Sequence, residues 1–354
     1  MKFIQIPNRF LFILIYIIIF LKISLFFYLR EDFQKIPSDA HYYHEYALGY
    51  LDTAVNVWPV ILNYLNINGI YDRDLVSDIL LFLNVFFIPF LALRLANLNF
   101  NKNQYYSLLL FLLLLVFPTL YFYTFDVYRD VFMVFTFLIS CLLVKKFINS
   151  SNLVYKFFLI FLIFLIGFFL FKLRAYLGYA FLGAFFLYKL KFTKKRILYL
   201  GFIYILLLFL ANYFGLFDSL TEYRSGFDEN LGGSTLGLDF SNPVMFVPNF
   251  TLSALGQLFG LYIVNVTAIL LFILETLPFI FMLFYIIKNI RYTDGFSRFL
   301  IIFFILYASV WLIGNDNLGT AVRLRIYNYF AIYICFFYIL SLKNKFQFKR
   351  ESIK

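Results

Sequence analysis

The stretch Asn317-Leu318-Gly319-Thr320-Ala321-Val322-Arg323-Leu324-Arg325 lies between two long apolar runs, Phe299 to Ile313 and Ile326 to Leu342. Arg323 and Arg325 are always charged, so seating them beside apolar runs costs free energy that a partner or a ligand must offset. A guanidinium is a planar fork that grips phosphate or carboxylate through two parallel hydrogen bonds. The pair is therefore a candidate anion site, against the alternative that both snorkel at a helix end. Tyr128-Arg129-Asp130, Lys172-Leu173-Arg174 and Tyr223-Arg224-Ser225 repeat the theme of an arginine in a short polar segment. Asp130 either forms an ion pair at a helix start or orients Arg129 toward a ligand. The backbone amides of Gly232-Gly233-Ser234 can hold an anion or simply make turns.

Proton transfer needs carboxylates or imidazoles. Ser38-Asp39-Ala40-His41-Tyr42-Tyr43-His44-Glu45 follows the first apolar run. Asp39 can act there as a general base toward a hydroxyl, can help hold a divalent cation, or can cap, with Ser38, a helix from Tyr42 to Leu51. His41 and His44 are the only histidines. Their spacing puts them on one helical face, but zinc needs further ligands that the sequence does not supply. No metal or other cofactor is assigned, although a divalent ion is compatible with Asp39. Glu275 interrupts an apolar run three residues before Pro278. It suits proton-coupled transport or a hydrogen bond to a neighbouring helix.

The elements that must position these groups are membrane spans. Hydrophobic residues make up 63% of the chain and charged ones 14%, which excludes an ordinary soluble domain. The fold class expected is an all-α polytopic integral membrane protein of about ten transmembrane helices, with both termini cytoplasmic. The expected spans are 10–28, 79–96, 106–122, 131–144, 157–171, 175–187, 197–214, 261–287, one from 299, and 326–342, in a single integral domain over 1–354. The first is read as a retained span because bulky Phe26-Phe27-Tyr28-Leu29 follows instead of a small-residue cleavage site. Two large periplasmic loops are expected, about 29–78 and 215–260. Within the first, Val55 to Ile67 is broken by Trp58-Pro59 and too short to cross, so it reads as a surface-lying or re-entrant helix. Lys22 is expected to snorkel outward. Cys141 and Cys335 read as apolar filler.

The net charge of +11 fits cytoplasmic Lys/Arg clusters and implies no nucleic acid. Lysines gather on the inner side, yet Arg30, Arg73, Arg129, Arg174, Arg224, Arg323 and Arg325 fall outside. Either they grip a ligand or they pair with the outer acids.

Asp39-x-x-Tyr42, Pro118 with its aromatic edge and Arg129-Asp130, Leu173-Arg174-x-Tyr176, Gly232-Gly233-Ser234 and Asn317-x-Gly319-Thr320-x-x-Arg323-x-Arg325 occur in that order. The set resembles the GT-C-type membrane proteins of bacterial surface-polysaccharide loci, which include lipid-linked sugar transferases and Wzy-type O-antigen polymerases. The resemblance implies a glycosyltransferase of O-antigen (lipopolysaccharide) or capsule synthesis, acting at the outer face of the bacterial inner membrane. Its donor would be an oligosaccharide on undecaprenyl or a similar polyprenyl pyrophosphate. It implies Asp39, Arg129 and Arg174 as catalytic residues, with Asp39 as base, and Arg224, Arg323, Arg325, Tyr42 and Asp130 as substrate-binding. The partners implied are the polyprenyl-linked oligosaccharide, the bilayer, and a chain-length regulator and flippase of the same pathway. With no soluble domain after the spans and no second acidic metal motif, a compact repeat-unit polymerase is favoured over a metal-dependent oligosaccharyltransferase. The alternatives are a transferase of single sugars from a polyprenyl-phosphate donor, a lipid-linked glycan flippase or transporter, and a non-catalytic subunit of a polysaccharide assembly.

Overall fold

The computed structural model describes residues 6–226 and 234–351 of the chain. Among them the secondary structure is helical, with a single isolated antiparallel bridge between Thr235 and Asn317. Eight helices are long and apolar enough to cross a membrane, by length and composition. Side chains such as Phe20, Phe161 and Phe202 are 70%, 65% and 69% exposed, a surface that suits hydrocarbon and not water. This is the architecture of a polytopic membrane protein. Two of the expected spans are shorter apolar helices, Gln104–Leu115 and Ala175–Leu187. The first stops just before Pro118, which has no N–H to continue the ladder and starts a new short helix instead.

The chain divides into two compact units, Met1–Gly178 and Tyr179–Lys354, a division that no composition shift in the sequence marks. The N-terminal unit contains α1 (Asn8–Gln34), α2 (Asp39–Ala47), α3 (Val57–Ile67), α4 (Arg73–Leu95), α5 (Gln104–Leu115), α6 (Pro118–Phe122), α7 (Asp130–Asn149) and α8 (Leu153–Leu173). α3 is the short helix expected inside the first loop. Asn56 caps it by accepting Trp58 N–H at 2.9 Å, and Trp58 Nε1 donates to Val127 O at 2.8 Å. α4 widens to a π-helical turn at Leu83–Phe87, just before Pro89. A proline lacks the donor and crowds the carbonyl four residues back, so a shift to i→i+5 bonding relieves the clash. That turn carries Asn84, whose Oδ1 accepts Lys22 Nζ at 3.0 Å. Lys22 is 7% exposed and lies 4.7 Å from the Tyr121 ring centre. It therefore does not snorkel outward: a buried acceptor and an aromatic face meet it inside the unit.

The C-terminal unit contains most of α9 (Ala175–Leu187), then α10 (Lys194–Tyr213), α11 (Asp218–Ser225), α12 (Phe246–Ser253), α13 (Val266–Lys288), α14 (Gly295–Gly314) and α15 (Leu318–Glu351). α15 is its central element. Every residue from Ile326 to Ile339 is buried, as expected of a helix apolar on all faces. α14 begins in a capping box between Asp294 and Ser297, and Asp294 also accepts Tyr338 O–H at 2.6 Å, tying α14 to α15. The segment expected as the second large loop is partly folded. α11 and α12 lie within it, and Phe240 and Phe246 pack with Ile313 in one apolar cluster. Two more π-turns occur in this unit, Ala254–Leu258 after α12 and Phe272–Thr276 inside α13, the latter just ahead of Pro278.

Candidate anion site

A pocket of about 330 Å³ in the C-terminal unit opens where the stretch Asn317 to Arg325 begins α15. Its walls are the first turns of α15 (Asn317, Gly319, Val322), the start of α13 (Asn265, Thr267) and the bend after the first π-turn (Gln257, Gly260). Ser234 completes it, while Gly232 and Gly233 of the expected glycine loop lie outside the described residues.

Two helix N-termini face this space. Asn317 caps α15, its Oδ1 accepting Thr320 N–H at 2.8 Å and its backbone carbonyl accepting Ala321 N–H at 2.9 Å. Leu318 N–H donates to Ser234 O at 2.9 Å, so the amide left over in that turn is that of Gly319. Asn265 caps α13 in the same way, taking Ala268 and Ile269 N–H at 2.8 and 3.3 Å and leaving the N–H groups of Val266 and Thr267 over among the described residues. Surplus amides with the positive end of the helix dipole behind them attract an anion.

Arg325 supplies the full charge. It lines the pocket and is 4% exposed. Its Nη2 stands 3.5 Å from Glu275 Oε2, a long contact, and its guanidinium carbon lies 5.3 Å from the Tyr329 ring centre. Its Nε has no hydrogen-bond partner among the described residues. The π-turn carries Glu275 to this position, and Tyr333 O–H donates to the Glu275 carbonyl at 2.6 Å. Gly260 makes the arrangement feasible. It has φ +57°, and a Cβ there would sit 2.8 Å from Arg325 Nη1. Arg323, two residues away on α15, is half-buried and does not line the pocket.

The turn that launches α15 is locked by amides. Gln257 Nε2 donates to Ser253 Oγ and to Asn315 O, both at 2.8 Å, and Asn315 Nδ2 donates to Gln257 Oε1 at 2.5 Å and to Asn317 O at 2.8 Å. Arg224 holds the same turn from the other side. Its Nη1 donates to the carbonyls of Leu312, Ile313 and Asn315, its Nε to Leu238 O at 2.8 Å, and its Nη2 pairs with Asp316. All three nitrogens are spent on the chain itself, so Arg224, expected to bind substrate, is a clamp in this arrangement. Burial lowers its pKa and Asp316 opposes that shift.

The remaining expected residues belong to the N-terminal unit. Arg129, Asp130 and Arg174 come together at the ends of α7 and α8: Arg129 Nη1 donates to Leu173 O at 3.0 Å and Arg174 Nη2 lies 3.8 Å from Asp130 Oδ1. Asp130 and Arg174 are both buried. Asp39 is exposed as the first residue of α2, after an extended Ser38 whose side chain makes no capping bond. Tyr42 O–H donates to Thr53 O. His41 pairs with Glu45 at 3.2 Å and His44 Nδ1 meets Tyr71 O–H at 2.8 Å, so the two histidines serve separate contacts. Burial is the main force lowering the His44 pKa, with the Arg73 charge adding to it. Arg30 pairs with Asp74 and Asp78, and Arg73 forms a two-pronged pair with Asp126 at 2.8 and 2.6 Å. Much of the arginine excess expected outside is thus matched by acids.

The sequence reading passed over Gly260, Gln257, Asn315 and Ser253. The signal it held was a run of small amide and hydroxyl residues inside otherwise apolar segments, which must bond one another if buried. Comparisons with protein-family models, curated proteins and solved structures find no match for this chain.

Proposed function

We propose that the protein is a membrane glycosyltransferase that takes its sugar from a polyprenyl-pyrophosphate-linked oligosaccharide at the outer face of a bacterial inner membrane and polymerises repeat units. The observation that carries this reading is the Arg325 pocket. A buried, under-bonded guanidinium and two helix N-termini converge on one cavity in a chain of membrane-spanning composition, and a lipid-anchored phosphate meets both requirements. In the reaction the acceptor hydroxyl oxygen attacks the anomeric carbon, and the bond from that carbon to the pyrophosphate oxygen breaks. Arg325 and the amides of Gly319 and Thr267 take up the charge that grows on the leaving pyrophosphate. The acceptor hydroxyl gives up its proton to a general base as the new bond forms. The lipid product stays in the bilayer, which accounts for a membrane-embedded enzyme.

The test is a deletion strain whose surface glycan is run on a gel after complementation with wild type, Arg325→Ala or Arg325→Lys, with membrane levels of each protein checked. Wild type restores a full ladder, Arg325→Ala leaves a core bearing one repeat, and Arg325→Lys restores little, because an ammonium cannot reproduce the fork. A full ladder with Arg325→Ala refutes the assignment. Repeats each lacking one sugar in the deletion strain indicate transfer of single sugars, and repeats trapped on the cytoplasmic leaflet indicate a flippase.

A further inference from the structure

A second polar pocket, about 540 Å³, lies in the N-terminal unit where α4 and α7 end and α8 begins. Arg94, Lys146, Asn149, Ser151 and Tyr155 stand on its walls, and no Asp or Glu does. The N-terminal unit supplies none from nearby in its sequence. Every acid of residues 1–178 falls between Glu31 and Asp78 or at Asp126 and Asp130. Arg30–Asp78 and Arg73–Asp126 pairs gather these groups at the start of α4, and Asp130 opens α7. Arg94 and Lys146 sit sixteen residues further along α4 and α7 than Asp78 and Asp130, about 24 Å at 1.5 Å per residue.

Lys145 builds the pocket but does not serve it. Its Nζ donates to Arg94 O, Leu95 O and Asn97 Oδ1 at 2.7, 2.8 and 2.7 Å, stapling the end of α4 to α7. The side chains of Arg94 and Lys146 are exposed and make no hydrogen bond or ion pair among the described residues. At the start of α8, Asn152 accepts Tyr155 N–H at 3.1 Å and Lys156 N–H at 3.0 Å, which leaves the amides of Leu153 and Val154 over. Two cations and a helix N-terminus thus face one concavity with no counter-charge from the unit. All three helices have the length and composition to cross a membrane, so their ends lie at the depth of the lipid headgroups.

We propose that this pocket binds the phosphodiester of an anionic phospholipid, with Arg94 and Lys146 on the phosphate oxygens and Asn149 and Ser151 on the hydroxyls of the headgroup. Leu142 and Tyr155 line the same pocket and give the glycerol and upper acyl carbons an apolar contact that a free phosphate would not use. The site is independent of the proposed sugar transfer.

The experiment uses the purified full chain in detergent, with bound lipids counted by native mass spectrometry during titration with dioleoylphosphatidylglycerol, dioleoylphosphatidylcholine or inorganic phosphate. Wild type retains one phosphatidylglycerol in preference to phosphatidylcholine. Arg94→Gln with Lys146→Gln weakens that retention about thirtyfold, from roughly fivefold per basic residue near an anionic surface. The control pair is Arg9→Gln with Lys102→Gln, at the same end of the unit, where Asn8 bonds Gln104 at 2.9 Å. It removes equal charge outside the pocket and changes retention a few-fold at most. Lys146→Gln alone keeps the comparison if the double variant fails to fold. Equal retention of the two lipids, equal loss in the two variant pairs, or displacement of phosphatidylglycerol by millimolar phosphate each overturns the proposal, the last by assigning the pocket to a soluble anion.

Discussion

Replacing Gly260 by alanine perturbs the Arg325 pocket without removing a charge. At φ +57° an L side chain costs about 1–2 kcal/mol. The new Cβ would stand 2.8 Å from Arg325 Nη1, against 3.4 Å for ordinary contact, so the guanidinium must retreat by the difference, 0.6 Å. Thr276 Oγ1, at 3.2 Å from the same Cβ, blocks escape on another side. Glu275 Oε2 stands 3.5 Å from Arg325 Nη2 and the Tyr329 ring centre 5.3 Å from its guanidinium carbon, so the guanidinium has little room to retreat and loses its aim into the pocket. Hydrogen bonds to a charged group are worth roughly 1.5–3 kcal/mol, so affinity for a short-chain prenyl pyrophosphate falls about tenfold to hundredfold. The assay is calorimetric titration of the purified chain in detergent, with thermal unfolding in parallel to confirm that the loss of stability stays near the backbone cost. Gly201→Ala is the control, because a Cβ there meets nothing within 4 Å. Wild-type affinity in Gly260→Ala would refute the reasoning, since the position of Arg325 would then not matter.

Other substitutions separate clamps from ligands. Glu275→Gln removes the carboxylate facing Arg325 at 3.5 Å, so the same titration should show several-fold tighter binding; weaker binding would mean that Glu275 holds Arg325 in place and does not compete for it. Arg224→Met leaves Asp316 buried without its guanidinium and strips a hydrogen bond from each of four carbonyls. Its stability should fall by about 3–5 kcal/mol, read as a lowered melting temperature, and an unchanged melt would show that the clamp carries no load. Asp126→Asn breaks the two-pronged bond to Arg73 and should cost about 3 kcal/mol in the same assay. His44 has its folded pKa below the ordinary 6.5, so the unfolded chain takes up the proton first. Its contribution is complete above pH 6.5 and is lost as pH falls toward the depressed folded value. His44→Gln should flatten that part of the stability profile, and an identical acid slope in the variant would assign the slope to other groups.

The parts of the fold governed by composition were legible and the parts governed by pairing were not. Eight helices of membrane-crossing length followed from apolar runs, while two of the expected spans are shorter apolar helices, and the short α3 followed from its length and Trp58-Pro59. Lys22 departs from the snorkelling expectation because Asn84, in the π-turn just before Pro89, offers it a buried acceptor. The same device recurs in the other unit: Pro278 follows the π-turn that carries Glu275 to Arg325. In both cases a polar residue a few positions before a proline, inside an apolar run, meets a buried cation from a different helix. That pattern is visible in sequence once the physical link is stated, because the proline that widens the ladder also shifts which side chain turns inward. The cost of charge in an apolar setting marked Asn317 to Arg325 as a site, but that cost is equal for Arg323, Arg325 and Arg224. It cannot say which guanidinium is consumed by carbonyls and which keeps donors free. Only the turn at Asn315 to Asn317 decides that, by bringing Arg224 onto its carbonyls while Gly260 lets Arg325 reach the open space.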